Sequence, residues 1–236
     1  VGETVIVSGL YFRDNLPLWR CAGSVIPVFS LRSEKSFGVG DLGDLRMLVD
    51  WARKTCQRII QVLPMNDTTT THTRTDSYPY SAISTYALHP MYISLPDLRE
   101  LADPEKAAFF ARKQAELNGL DAVDYEQTVR YKLEYCRELF NQEGPSVLAS
   151  QDFKDFFSKN EAWLLPYAAY CYLRDNYGTP DFTQWTDYSV FDRARIQNLC
   201  AKTSKAYPEI SFFYFLQFVL YTQFKSASDY ARKNGV

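Results

Sequence analysis

Histidine is scarce in this sequence: of 236 residues only His72 and His89 carry an imidazole, and they stand far apart. That is too little for a zinc triad or a Ser-His dyad, and His89, which precedes Pro90, reads as a structural hydrogen-bonding residue. Cysteine is sparse and unpaired in its spacing. The five thiols, Cys21, Cys56, Cys136, Cys171 and Cys200, are odd in number and scattered, which argues against a disulfide scaffold or a metal site and for reduced, buried thiols in a cytoplasmic protein. Long apolar runs are also missing. The longest, Phe212 to Leu216, is far too short to span a bilayer, and no charged-then-apolar signal segment begins the chain. Charge of one sign is lacking as well: 26 Lys and Arg against 28 Asp and Glu give a formal net charge of −2, so there is no basic field for a nucleic-acid backbone. A neutral partner fits better. What remains is a globular composition with 46% hydrophobic residues, enough to bury one substantial core.

Two apolar runs punctuate the first third. Ser24 to Leu31 is nearly continuous and reads as a strand buried on both faces, and Arg58 to Leu63 reads as a second. Between them Leu42, Leu45, Leu48, Val49 and Ala52 recur at helical spacing behind Asp41, a good N-cap. Strand, helix, strand at this spacing is a βαβ unit, which demands a parallel sheet. After Leu95 the pattern turns helical. Asp103-Pro104 opens a helix that Asn118-Gly119 closes. A second places Val129, Leu133, Cys136, Leu139 and Phe140 on one face before Gly144-Pro145 stops it, and others are expected over 150–159, 163–174, 192–202 and 209–232. The first twenty residues, with the β-branched segment Glu3 to Ser8, read as a linker from an upstream module. A basic last turn before Gly235 is a helix C-cap, and Val236 reads as the first residue of a further strand, so the chain is expected to be part of a longer protein.

Gly38-Val39-Gly40-Asp41-Leu42-Gly43 satisfies the GxGxxG pattern between a strand and a helix. Nucleotide binding is rejected, because the approach from Leu31 is too long for the tight turn and Asp41 puts a carboxylate where a pyrophosphate must sit. Flexible glycines crossing a barrel mouth are the preferred reading. Asp67 and Asp76 follow the second strand, and Glu34 the first, on the face where barrel enzymes build their sites. Two readings stand side by side: an acid and nucleophile for glycosyl transfer, or loop acceptors that cap backbone amides. Tyr80, in Ser77-Tyr78-Pro79-Tyr80, suits a sugar, because a glucose ring has an apolar C–H face and a hydroxyl rim. Aromatic residues make up 16% of the chain; Trp163, Tyr167, Trp185 and Tyr188 are either stacking platforms or helix packing.

The ordered set Ile26-Pro27-Val28-Phe29-Ser30-Leu31, Ser36-Phe37-Gly38-Val39-Gly40-Asp41-Leu42-Gly43, Gln61-Val62-Leu63-Pro64-Met65-Asn66-Asp67-Thr68, Asp76-Ser77-Tyr78-Pro79-Tyr80 and Ala87-Leu88-His89-Pro90 resembles the amylomaltases, or 4-α-glucanotransferases, of glycoside hydrolase family 77. The resemblance is strongest over 26–95. It implies an α/β fold: the N-terminal portion of a (β/α)8 TIM barrel, with about two parallel strands and a large, mainly helical insertion, the barrel being incomplete within this chain. The expected division is a linker over 1–20 and catalytic-domain sequence over 21–236, the latter made of a first βαβ unit and substrate loop (21–95), a helical insertion (96–208) and a returning helix (209–236).

The resemblance also implies transfer of α-1,4-glucan segments between maltodextrins by a retaining double displacement, with no cofactor and no metal. Its partners are α-1,4-glucans such as maltose, maltodextrins, soluble starch or glycogen. The family's catalytic carboxylates are expected beyond Val236, so this chain alone is expected to be inactive. Matching the family's Asp-Ser-Pro-Tyr motif gives Ser77 and Tyr80, although Tyr78 is an extra residue inside that motif, and with Asp76 and Asp67 they make up the expected substrate-binding set. An α-amylase-like hydrolase and a non-catalytic glucan-binding module are the alternatives.

Overall fold

The computed structural model describes residues 21–236, so the expected linker and its Glu3–Ser8 strand lie outside the described residues. Strand β1 (Gly23–Val25) pairs in parallel with β2 (Ile59–Gln61), Ser24 opposite Ile60, and helix α1 (Leu42–Lys54) connects them. The βαβ expectation holds. A Cβ on Gly23 would lie 2.3 Å from the Ile59 carbonyl oxygen, so the close approach of the two strands requires glycine there.

Both strands are shorter than their apolar runs. Pro27 has no N–H to give a ladder, and the chain turns into a short 3-10 segment at Val28–Ser30 that sends Val28 into the core. Burial on both faces is not observed either: Val25 is 61% and Ile59 43% exposed, because neither strand has a second neighbour among the described residues. Helix α1 matches its periodicity. Asp41 Oδ1 accepts from the Gly43 and Asp44 amides while Asp44 Oδ2 accepts from the Asp41 amide, a reciprocal capping box, and Leu42, Leu45, Leu48, Val49 and Ala52 face inward.

The rest is helical: α2 (Pro104–Asn118), α3 (Tyr125–Ala149), α4 (Gln151–Tyr177), α5 (Arg193–Leu199) and α6 (Tyr207–Lys233). Two expectations are corrected. Helix α3 does not stop at Gly144-Pro145 but runs to Ala149, because the turn beyond still packs Val147 and Leu148 on the core, and Gly144 leaves room for the Phe140 ring. The two helices expected over 150–159 and 163–174 are one, α4, which carries Pro166 in its interior. Nothing between Lys159 and Trp163 breaks it, and Asn160 joins the turns by donating to the Phe156 carbonyl and accepting from the Trp163 indole N–H.

Helix α6 is the axis on which α1, α3 and α4 pack. Its residues Phe215, Leu216 and Leu220 join a core with α1, α3 and the 91–95 segment, while Ile210 and Tyr214 join a second core with Phe153, Leu164, Ala168 and Trp185. Two buried glutamines on α6 do the work of a missing strand. The Gln217 side chain accepts from the Leu88 amide and donates to its carbonyl, and Gln223 does the same for Ser94, so the irregular 88–94 segment has its backbone satisfied. No helix among the described residues is long and apolar enough to cross a membrane.

Candidate functional site

Beyond β2 the chain forms a loop closed at its base by a short antiparallel bridge. Asn66 pairs with Leu88, the Asp67 amide donates to the Ala87 carbonyl and the His89 amide to that of Met65. Inside this closure the loop folds around two buried carboxylates. Asp67 Oδ1 accepts from the Thr69 amide (2.9 Å) and hydroxyl (2.6 Å), and its Oδ2 accepts from the Tyr167 hydroxyl of α4 at 2.6 Å. Asp76 accepts from the Thr70 hydroxyl (2.6 Å) and from the amides of Thr71 (2.9 Å) and His72 (2.7 Å). Burial raises the pKa of Asp76, but the Thr70 hydroxyl and the Thr71, Thr70 and His72 amides outweigh it and hold the carboxyl below its usual range.

The geometry thus separates the four sequence-derived residues into two pairs. Asp67 and Asp76 are buried, with their oxygens committed to the loop. Ser77 and Tyr80 stand in solvent immediately after Asp76, and the Tyr80 ring, 61% exposed, lies 5.5 Å from that of Tyr78. A carboxylate cage therefore fixes the turn from which a hydroxyl and two aromatic rings project. This arrangement can bind and orient a polyhydroxylated ring, through stacking on the rings and hydrogen bonds to the serine.

Tyr86, 66% exposed, stacks on Trp163 at 5.7 Å. The other aromatics considered from sequence pack inward or partly so: Tyr167 and Trp185 are buried, Trp185 between Tyr170 and Tyr177, and Tyr188 is half-buried. His89 is buried and kept neutral by that burial. Its Nδ1 accepts from the Met91 amide, so Nε2 carries the proton and donates to the Tyr125 hydroxyl at 2.8 Å. The glycine segment is buried and closely packed instead of crossing an open mouth. Gly38 sits at φ +72 against Thr128 and Leu117, and a Cβ on Gly40 would lie 2.0 Å from the Val28 carbonyl oxygen. Burial raises the Asp41 carboxyl, with Lys132 pulling it down, and that group caps α1. No cluster of three or more potential metal ligands occurs among the described residues.

The supporting residues were harder to find from sequence. Lys132, 1% exposed, donates to the carbonyls of Met91 (2.7 Å) and Ile93 (2.8 Å) and faces Asp41 at 3.4 Å. Its signal was a lysine between Val129 and Cys136 on the apolar stripe of α3. Gln217 and Gln223, polar residues on an aromatic-rich helix, gave a similar signal.

The family model described as 4-alpha-glucanotransferase matches residues 26–236. The chain belongs to the 4-alpha-glucanotransferase family. A 4-alpha-glucanotransferase DPE2 from Oryza sativa is 40% identical over 218 residues, covering 92% of this chain and 23% of its own length. A 4-alpha-glucanotransferase from Chlamydia pneumoniae is 30% identical, covering 91% of this chain and 39% of its own. This member of the family therefore spans well under half the length of those curated relatives. Among solved structures, the amylomaltase of Corynebacterium glutamicum matches with TM-score 0.69 at 19% identity, over 91% of this chain and 29% of that one. The amylomaltase of Streptococcus agalactiae in complex with acarbose matches with TM-score 0.65, also at 19% identity, over 92% and 42% respectively. At that identity the likeness concerns the fold, a mostly helical chain with two parallel strands.

Proposed function

We propose that this chain is part of a 4-α-glucanotransferase, namely the opening βαβ unit of a (β/α)8 barrel with its helical insertion, and that it supplies a wall of the glucan site. The observation that carries the reading is the caged turn at Asp76, which projects Ser77, Tyr78 and Tyr80 into solvent in a chain that matches the family over 26–236. The substrates are α-1,4-glucans, from maltose and maltodextrins to soluble starch or glycogen, and the parent works in the cytoplasm without a cofactor. Its reaction is a retaining double displacement. A carboxylate attacks the anomeric carbon as a second carboxyl protonates the departing sugar oxygen. An acceptor hydroxyl then displaces the enzyme carboxylate and gives its proton to the second group. The family resemblance puts both groups in the parent beyond Val236, and the commitment of Asp67 and Asp76 to the loop supports that reading. Alone, the chain is expected to have negligible activity.

The test incubates the full-length parent with maltotriose and follows glucose and longer maltodextrins by chromatography. A ladder of longer products supports transfer. Accumulation of shorter sugars alone makes water the acceptor and replaces this reading with a hydrolase. No turnover, with affinity lost on Tyr80→Ala, leaves a glucan-binding module. Because Tyr80 is largely solvent-exposed, that variant is expected to unfold within about 0.5 kcal/mol of the wild type while weakening maltotriose binding about tenfold.

A further inference from the structure

The loop that carries Ser77 and Tyr80 is held from a distance by α4. Arg174, 3% exposed, donates from a terminal guanidinium nitrogen to the Thr69 carbonyl at 2.6 Å and from Nε to Asp175 Oδ1 at 2.8 Å. Asp175 Oδ1 in turn contacts His72 Nε2 at 2.9 Å. One side chain of α4 thus grips the entry to the loop, and the next grips its apex through His72. A separate observation points to the same residue. His72 has φ +59, the left-handed region that a non-glycine residue adopts at a cost, and its amide donates to Asp76, the residue before Ser77. The strained residue therefore joins the α4 clasp to the carboxylate cage. These groups line one wall of an open cleft of about 270 Å³, with Leu133 and Phe213 opposite, while the buried side of the loop packs around Asp67 and Asp76.

We infer that Arg174 and Asp175, acting through His72, are positioning residues that set the Ser77–Tyr80 segment for glucan and so govern substrate affinity without touching substrate. The functional half of this inference rests on the glucan reading given above; the clasp itself does not.

Two measurements test the halves separately. In this chain, amide hydrogen exchange compares Thr71 and His72, reporters of the cage, with the amides of α6, reporters of global stability. Arg174→Met is expected to speed loop exchange about tenfold or more through a local opening that low urea does not change, while α6 exchange keeps the urea dependence of global unfolding and rises by no more than that factor, and Arg174→Lys, which keeps one charged donor, falls between. His72→Asn tolerates left-handed backbone but is too short to reach Asp175, so it is expected to speed the loop similarly. If Arg174→Met unfolds, His72→Asn and Asp175→Asn decide the question. Unchanged loop exchange in the folded variants overturns the clasp.

In the full-length parent, the same variants are expected to raise KM for maltotriose about fivefold and to leave kcat within about twofold, with Arg174→Lys recovering part of the loss. A fall in kcat alone, or faster loop exchange with KM unchanged, overturns the positioning role. A wild-type parent that ignores maltotriose sinks the glucan reading, while the exchange data still judge the clasp.

Discussion

Replacing Lys132 with methionine is the most demanding test of how the site is supported. Methionine matches the lysine stem in length and apolar character, so the change removes the ammonium and little else. Three acceptors lose their donor: the Met91 and Ile93 carbonyls and the Asp41 carboxylate. All lie in buried structure, and Asp41 is left as an unpaired buried charge at the N-cap of α1. Breaking one partner of a buried pair costs about 3–5 kcal/mol. For a chain of this size that lowers Tm by roughly 10 °C, at about 2–4 °C per kcal/mol.

The pH dependence gives the reasoning a second, independent edge. Burial already raises Asp41, and Lys132 opposes that rise. Without the lysine the carboxyl rises further above its unfolded value, so the folded state favours the protonated form. A raised group contributes stability that is complete below the unfolded pKa and is lost as pH climbs through the folded one. The deficit of Lys132→Met should therefore narrow as the pH falls towards about 4 and widen towards neutrality. Urea unfolding at several pH values measures this, and the double variant Lys132→Met with Asp41→Asn, which removes the stranded charge but keeps a cap acceptor, should recover about half the loss. A cost below about 1 kcal/mol, or a deficit indifferent to pH, refutes the account.

Two further expectations concern stability. Asp76 is depressed in the folded state, so it stabilises the protein above the unfolded value, near 3.8, and loses that contribution as pH falls through the lower folded value. Asp76→Asn should cost about 1–3 kcal/mol at neutral pH and flatten the acid limb of a denaturation profile, and an unchanged acid limb would show that other groups control it. Gly40→Ala should prevent native packing of the 36–41 segment, since its Cβ meets the Val28 carbonyl oxygen at 2.0 Å; a native-like Tm in that variant would contradict the geometry.

The parts legible in the sequence were those fixed by local pattern. The apolar stripe of α1 behind Asp41, the Asp103-Pro104 start of α2 and the parallel pairing of two apolar runs all follow from side chains near one another in the chain. Where the reading slipped, a distant partner had overruled a local signal. Pro145 did not end α3, because Val147 and Leu148 still had a core to enter, and the break expected between Lys159 and Trp163 did not occur, because α4 runs on to carry Leu164, Tyr167 and Ala168 into the second core. The strands were read too long, because an apolar run does not reveal that Val28 leaves the sheet to fill the core. At the site, Ser77, Tyr80, Asp67 and Asp76 were visible as a motif. Their division into an exposed pair and a buried pair depends on Tyr167 and on amides whose orientation no spacing discloses.

The anchors of the loop also impose an order in time. The Tyr167–Asp67, His72–Asp175 and Arg174–Thr69 contacts join residues separated by 100, 103 and 105 positions. Contacts of such span form only after the intervening chain exists and has been drawn in, whereas the capping box of α1 closes within a few residues. During synthesis the loop leaves the ribosome early and waits for α4 before it acquires its shape. The turn at Asp76–Tyr80 is thus made before the helix that completes it and is among the last parts of this region to be finished.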